Sequence, residues 1–96
     1  MNRTLTLALL TQHKSVLAQR FGVTDLALFG SMARNAAGAD SDIDILVSFD
    51  GPANSRRYFG VLFYLEDLLG RSVDLVTDKA LRPELRPFIE TEALHA

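Results

Sequence analysis

Ser41-Asp42-Ile43-Asp44-Ile45-Leu46-Val47 decides how the rest of the chain is read. Its β-branched residues predict a buried strand, on which residues two apart point to the same face. Asp42 and Asp44 therefore project together, with Cα atoms about 6.6 Å apart at ~3.3 Å rise per residue. No Lys or Arg lies between Arg34 and Arg56 to neutralise them locally. Like charges on an apolar strand repel more strongly as water is excluded, so the pair calls for a cation from elsewhere in the fold or from solution. Oxygen ligands without Cys or a nearby His favour magnesium or manganese over zinc.

Alone, an Asp-x-Asp pair says little, because aspartates commonly flank strands as turn residues. Two further features change its weight. Leu26-Ala27-Leu28-Phe29 predicts a strand running into Gly30-Ser31, and Met32-Ala33-Arg34 can start a helix. Glycine at that turn lets the backbone approach a ligand, the amides at a helix start attract an anion, and Ser31 adds a hydroxyl donor. Ser72-Val73-Asp74-Leu75-Val76-Thr77 predicts another short strand, in which Asp74 occupies a position expected to be buried or half-buried. An ionised side chain there costs free energy unless it is paired, hydrated or metal-bound. Arg71 is the plain structural partner for it. Strand, Gly-Ser and helix, then an Asp-x-Asp strand, then an Asp strand, together predict a phosphate site facing a metal site at one sheet edge.

Gly30-Ser31, ten intervening residues, Asp42-x-Asp44 and a downstream Asp74 resemble the minimal nucleotidyltransferase family, the MNT-type antitoxins of the DNA polymerase beta superfamily. The blocks that carry the resemblance are residues 29–34, 41–47 and 69–76, and it runs through most of the chain. It implies an α/β (α+β) fold, a small mixed sheet flanked by helices. It also implies that Asp42, Asp44 and Asp74 are catalytic and hold two divalent ions, Mg2+ or alternatively Mn2+. In that picture Asp74 helps deprotonate the attacking hydroxyl, Gly30 and Ser31 hold the nucleoside triphosphate, and Arg34 contacts phosphate. The implied reaction is in-line attack on an α-phosphate, with ATP as substrate. One departure is Asn35, where similar sequences often carry glycine, followed by the small-residue loop Ala36-Ala37-Gly38-Ala39.

Composition narrows the alternatives. Ninety-six residues predict one minimal nucleotidyltransferase domain over 1–96, with a radius of gyration of about 12 Å. A formal net charge of -2, a pI of about 5.5 and the lack of a basic tract argue against tight nucleic-acid binding. Cysteine is absent, which leaves neither a disulfide framework nor a thiolate metal site and is compatible with a cytoplasmic location. The apolar N-terminal stretch is interrupted by Gln12, His13 and Lys14 too early to span a membrane.

Scaffold elements surround the motifs. A first helix capped by Thr4 or Thr6 is expected to run to Phe21, with Leu9, Val16, Leu17 and Phe21 inward and Gly22 as its stop. His13 on it reads as a surface or satisfied side chain. A second helix is expected from Asn54 or Ser55 to Gly70, with Tyr58, Leu62, Leu65 and Leu69 as its core stripe. Phe59, Val61, Phe63, Tyr64 and Leu68 widen its apolar arc beyond what one sheet covers, so either the C-terminal segment or another protein is expected to lie on it. Arg56 and Arg57 in its first turn read as solvated, or as facing phosphate or an acidic group. Pro83 and Pro87 break up the tail, and residues 88–94 read as a short helix or strand.

Family resemblance implies two functions of different class. One is an antitoxin that transfers AMP from ATP onto a tyrosine hydroxyl of a HEPN-type ribonuclease toxin, in a hetero-oligomer with it. The other is a non-catalytic antitoxin that neutralises the same partner by binding through the broad apolar helix. Small-molecule nucleotidylation is a third option, disfavoured because no second domain shapes a pocket for it.

Overall fold

The computed structural model describes residues 2–36, 38 and 41–96, and its sheet contains β1 (Val23–Phe29), β2 (Ile43–Phe49), β3 (Val73–Thr77) and β4 (Leu94–His95). Strand order is β3-β2-β1-β4. β2 runs parallel to β3, whereas β1 is antiparallel to both β2 and β4, so the sheet is mixed as expected. Helices α1 (Arg3–Phe21), α2 (Gly30–Ala33), α3 (Ser55–Leu69) and α4 (Arg86–Glu92) surround it. The Cα radius of gyration is 12.4 Å.

Alternation along the strands sorts the sheet into two unlike faces. Leu26, Leu28, Ile43, Ile45, Val47, Val73 and Leu75 point to one side and pack with Leu10 and Leu17 of α1 and with Val61, Leu65 and Leu69 of α3. On the opposite side Ala27, Phe29, Leu46 and Val76 meet Leu81, Ile89 and Ala93 from the tail. Side chains of period two put Asp44 and Asp74 on this second, thinly covered face, in line with Leu46 and Val76.

Several local expectations need correction. Helix α1 starts earlier than at Thr4 or Thr6, because Asn2 is the N-cap and its side chain accepts from the Leu5 N–H. Thr6 is instead fully buried, its hydroxyl donating to the Asn2 carbonyl at 2.7 Å. Leu17 is inward as expected and Phe21 and Leu9 are partly so, but Leu10 is fully buried and Val16 is exposed. Gly22 ends the helix with φ +75°. His13 is satisfied, lying 2.6 Å from Tyr64 Oη through Nδ1.

Helix α3 has the expected bounds, with Asn54 capping the Arg57 N–H and Gly70 closing the end at φ +67°. Its stripe is displaced: Val61, Leu65 and Leu69 are buried, while Tyr58 and Leu62 are only partly so. Tyr58 spends its hydroxyl on the Leu75 carbonyl at 2.7 Å. Part of the excess apolar arc is covered by α1, while the tail divides between the faces: Leu81, Ile89 and Ala93 lie on the other side of the sheet, and Leu94 and Ala96 pack against the main core. Phe59 and Phe63 stay outside at 47% and 61% exposure, their rings stacked 5.9 Å apart. Arg57 faces an acidic group of its own chain, Asp50, at 2.7 Å.

The tail forms both elements that the sequence left as alternatives: α4 with Pro87 in its first turn, then β4 paired to β1 through Ala27↔His95 and Leu28↔Leu94. Replacing Leu65 by Ala should lower unfolding free energy by roughly 2–5 kcal/mol, because the site is sealed between helix and sheet. Phe63→Ala should cost less than about 0.5 kcal/mol. Paired denaturant titrations check the contrast, and equal losses would contradict this assignment of the α3 faces.

Candidate active site

Strand register builds the site. β1 ends with Phe29 opposite Asp44, and Asp44 lies beside Asp74 on β3. Neighbouring strands in a sheet are about 4.8 Å apart, so two carboxylates in register on one face are forced into each other's field. Asp42 precedes β2 and adds to that field. Burial, then the charge of Asp74 and a hydrogen bond shared with it, then the charge of Asp42, push the Asp44 carboxyl up to about 6 from 3.8. Arg34 opposes them but does not cancel them.

Each residue expected at the site can be placed. Asp44 is half-buried, whereas Asp42 and Asp74 are exposed, so the exposed Asp74 does not carry the burial cost anticipated for it. It sits at the rim of the sheet, where the thin second face leaves it in water. Arg71, the expected structural partner of Asp74, donates instead to the carbonyls of Gly38, at 2.9 Å, and Ser41. It thereby anchors the segment leading into Asp42. Among the described residues, no three His, Cys, Asp or Glu side chains already enclose a point where a metal ion would sit. Asp44 and Asp74 are brought together, with Asp42 in Coulombic range. This donor set, oxygen only and short of cations, still fits a hard divalent ion that retains waters and substrate oxygens in its shell.

Gly30 adjoins the carboxylates for two reasons. Its φ of +67° is left-handed, and a Cβ built there would overlap Oδ2 of Asp44. The expected helix after it is a single turn, α2, which starts at Gly30 itself and buries Met32 and Ala33. Ser31 is half-buried in that turn and its carbonyl accepts from the Ala36 N–H at 2.8 Å. Asn35, the departure from the glycine that similar sequences often carry, takes φ +59°, a conformation that asparagine tolerates better than most side chains. Of the small-residue loop beyond it, Ala37 and Ala39 lie outside the described residues.

One participant left no trace in the motifs. Glu92, at the end of α4, accepts from the Gly30 N–H at 2.9 Å and from Arg34 Nη1 at 2.9 Å. Its carboxyl is held below the ordinary range, chiefly by the Gly30 N–H, with burial opposing the shift and the hydrogen bond and charge of Arg34 adding to it. Arg34 is thus near the site as expected, but already shares its charge with Glu92. Nothing local marks Glu92, because the contact spans sixty-two positions and depends on how the tail returns. Glu66 was equally invisible: Oε2 accepts from the Val73 N–H at 3.0 Å and steadies the start of β3 beside Asp74. A small cavity of about 60 Å³ lined by Val47, Phe49, Thr77 and Lys79 lies at the other ends of β2 and β3, away from the carboxylates.

The nucleotidyltransferase domain family matches residues 10–95. The chain belongs to that family. It is 39% identical over 88 residues to the protein adenylyltransferase MntA of Thermococcus cleftensis, covering 92% of this chain and 89% of the relative. A solved structure assigned as a minimal nucleotidyltransferase superposes with a TM-score of 0.78 at 34% identity, covering 98% of this chain and 95% of the other. A chain from the complex of tri-AMPylated Shewanella oneidensis HEPN toxin with MNT antitoxin shares the fold at 19% identity and a TM-score of 0.69, over 97% of this chain and 70% of that one. The minimal nucleotidyltransferase resemblance therefore holds, and so does the mixed-sheet fold expected from it.

Two predictions follow from site geometry. Gly30→Ala should cost about 1–3 kcal/mol, since it combines backbone strain with displacement of the Asp44 carboxylate. Thermal melts should show this loss partly relieved when Asp44 is also replaced by Gly, with the backbone strain at φ +67° remaining; strictly additive losses would argue that the two do not collide. For Asp44 itself, the raised pKa means the folded form keeps its proton to higher pH than the unfolded chain. That stabilising contribution is fully present below pH 3.8 and is lost as pH rises through about 6. In chelator, Asp44→Asn should thus be more stable than wild type at pH 7–8, by on the order of 1 kcal/mol after allowance for solvent screening at this half-exposed site. The difference should close near pH 4, which melting curves across that range would test.

Proposed function

We propose that this chain is one minimal nucleotidyltransferase domain over residues 1–96 that acts in the cytoplasm as a metal-dependent protein adenylyltransferase. In this reading it moves AMP from ATP onto a tyrosine hydroxyl of a HEPN-type ribonuclease toxin, with which it forms a hetero-oligomer as the antitoxin. The observation that carries the reading is the in-register Asp44–Asp74 pair beside the side-chain-free Gly30 turn. Likeness to a protein adenylyltransferase over nine-tenths of the chain supports the substrate class.

The chemistry is mostly charge placement. Asp42, Asp44 and Asp74 would hold Mg2+, or alternatively Mn2+, and the bound ions would supply positive charge for the phosphates and lower the pKa of the attacking hydroxyl. Asp74, exposed near the start of β3, would take the proton from that hydroxyl. Its oxygen then attacks the α-phosphorus in line, a new oxygen–phosphorus bond forms, and the bond to the β-phosphate oxygen breaks to release pyrophosphate. Gly30 and Ser31 form the turn against which the triphosphate lies, and Arg34 contributes charge at its edge. No tight nucleic-acid contact is invoked. No helix among the described residues is long and apolar enough to cross a membrane.

A second reading rests on the exposed, stacked Phe59 and Phe63 of α3: neutralisation of the same partner by binding alone. Incubating the protein with ATP, magnesium and its gene-neighbour protein, then reading intact masses, separates the two. Added AMP on the partner's tyrosine, abolished by the double variant Asp42→Ala, Asp44→Ala, is the expected result. An unmodified partner bound equally by wild type and double variant, with binding lost in Phe59→Ser, Phe63→Ser, would support the binding antitoxin instead.

A further inference from the structure

We infer that Glu92 is a positioning residue for nucleotide binding: one carboxylate, delivered by the chain's tail, clamps both ends of the one-turn helix that carries Ser31. The inference rests on the nucleotide-binding reading of that turn given above.

Local physics leaves this turn underdetermined. A four-residue helix cannot hold itself together, because nucleation costs several fixed dihedral angles for very few hydrogen bonds. Phe29 stands at its N-cap position and offers no side-chain acceptor, so the Gly30 N–H would be left without a partner. Glu92 Oε1 takes that N–H at 2.9 Å, and Oε2 takes Nη1 of Arg34, the residue that closes the helix, also at 2.9 Å. On its other side Gly30 abuts the Asp44 carboxylate. The glycine is thereby wedged between a metal-site carboxylate and a tail carboxylate.

The clamp is itself held in place. Ile89 and Ala93, flanking Glu92, pack with Ala27, Leu46 and Leu81. Just beyond, β4 pairs with β1, and the Ala96 N–H donates to the Leu26 carbonyl at 2.9 Å. Glu92 therefore reaches the turn from a segment fastened to the same strand that leads into Gly30. With the Gly30 N–H and Arg34 Nη1 both donating to Glu92, the backbone of the turn and the arginine that closes it are held in one arrangement before any nucleotide arrives. Such preorganisation lowers the ordering cost of binding.

Titration with MgATP by calorimetry, combined with amide hydrogen exchange, tests this in wild type, Glu92→Ala and Glu92→Gln. Glu92→Ala should bind MgATP about 10-fold more weakly and exchange faster at residues 30–34, while β1 amides at residues 26–28 remain protected. Glu92→Gln keeps a neutral acceptor for the Gly30 N–H but loses the charge on Arg34, and should fall between the two. Affinity unchanged or tighter in the folded variants overturns the inference, since a tighter complex would make Glu92 a competitor of the phosphates. Loss of β1 protection in Glu92→Ala together with wild-type affinity in Glu92→Gln also overturns it, by reducing Glu92 to a general fastening of the tail. Wild-type protein that binds no MgATP would sink the nucleotide reading, and this role with it, an outcome distinct from a wild type that binds and variants that bind equally well.

Discussion

The parallel pairing of β2 with β3, which holds Asp44 beside Asp74, is the constraint on which the rest of this small fold depends. Parallel pairing of β2 with β3 sets the two carboxylates side by side on one face, and the hydrogen-bonded ladder that does so cannot slip without turning Ile43 and Ile45 out of the core. The opposite face is where nearly all apolar burial occurs, so the register is set by hydrophobic packing. The charge conflict is its consequence. A raised Asp44 carboxyl is the electrostatic record of that conflict, and a hard cation is its simplest resolution.

The two sheet faces divide the labour. Helices α1 and α3 seal one face, and from α3 Glu66 braces the first amide of β3 while Tyr58 bonds the Leu75 carbonyl. Among the described residues the other face is covered by Leu81, Ile89 and Ala93 of the tail, and incompletely. That incomplete cover keeps Asp42 and Asp74 in water, open to a ligand, and it also gives the tail access to the Gly30 turn. Exposed Phe59 and Phe63 lie on α3, the helix that packs against the opposite face from the carboxylates, so a partner docked on them would not need to displace the tail.

Charge elsewhere is largely spent on holding segments in place. Arg71 anchors the approach to Asp42 through backbone carbonyls, Arg57 ties the start of α3 to Asp50, and Arg86 joins Asp78 to Glu90. These exposed pairs contribute modestly to stability.

Much of this was legible in the sequence alone. Asn54 and Gly70 bound α3 because capping is local chemistry, and Gly22 stops α1 for the same reason. The β-branched residues in 43–47 marked a buried strand, and Gly30, Ser31, Asp42, Asp44 and Asp74 were marked as a set by their order and spacing. What periodicity could not decide was coverage: that Val61 is core while Phe63 is surface depends on where α1 crosses α3, and that Asp74 is exposed depends on how little the tail covers. Only the tertiary structure joined Glu92 to Gly30 and Arg34, because a contact between residues so far apart arises from the pairing of β4 with β1 and leaves no local signature. Local sequence thus determined which chemical groups the chain carries and which short elements present them. Long-range strand pairing decided which of those groups meet, since it alone sets their distances and their exposure to water.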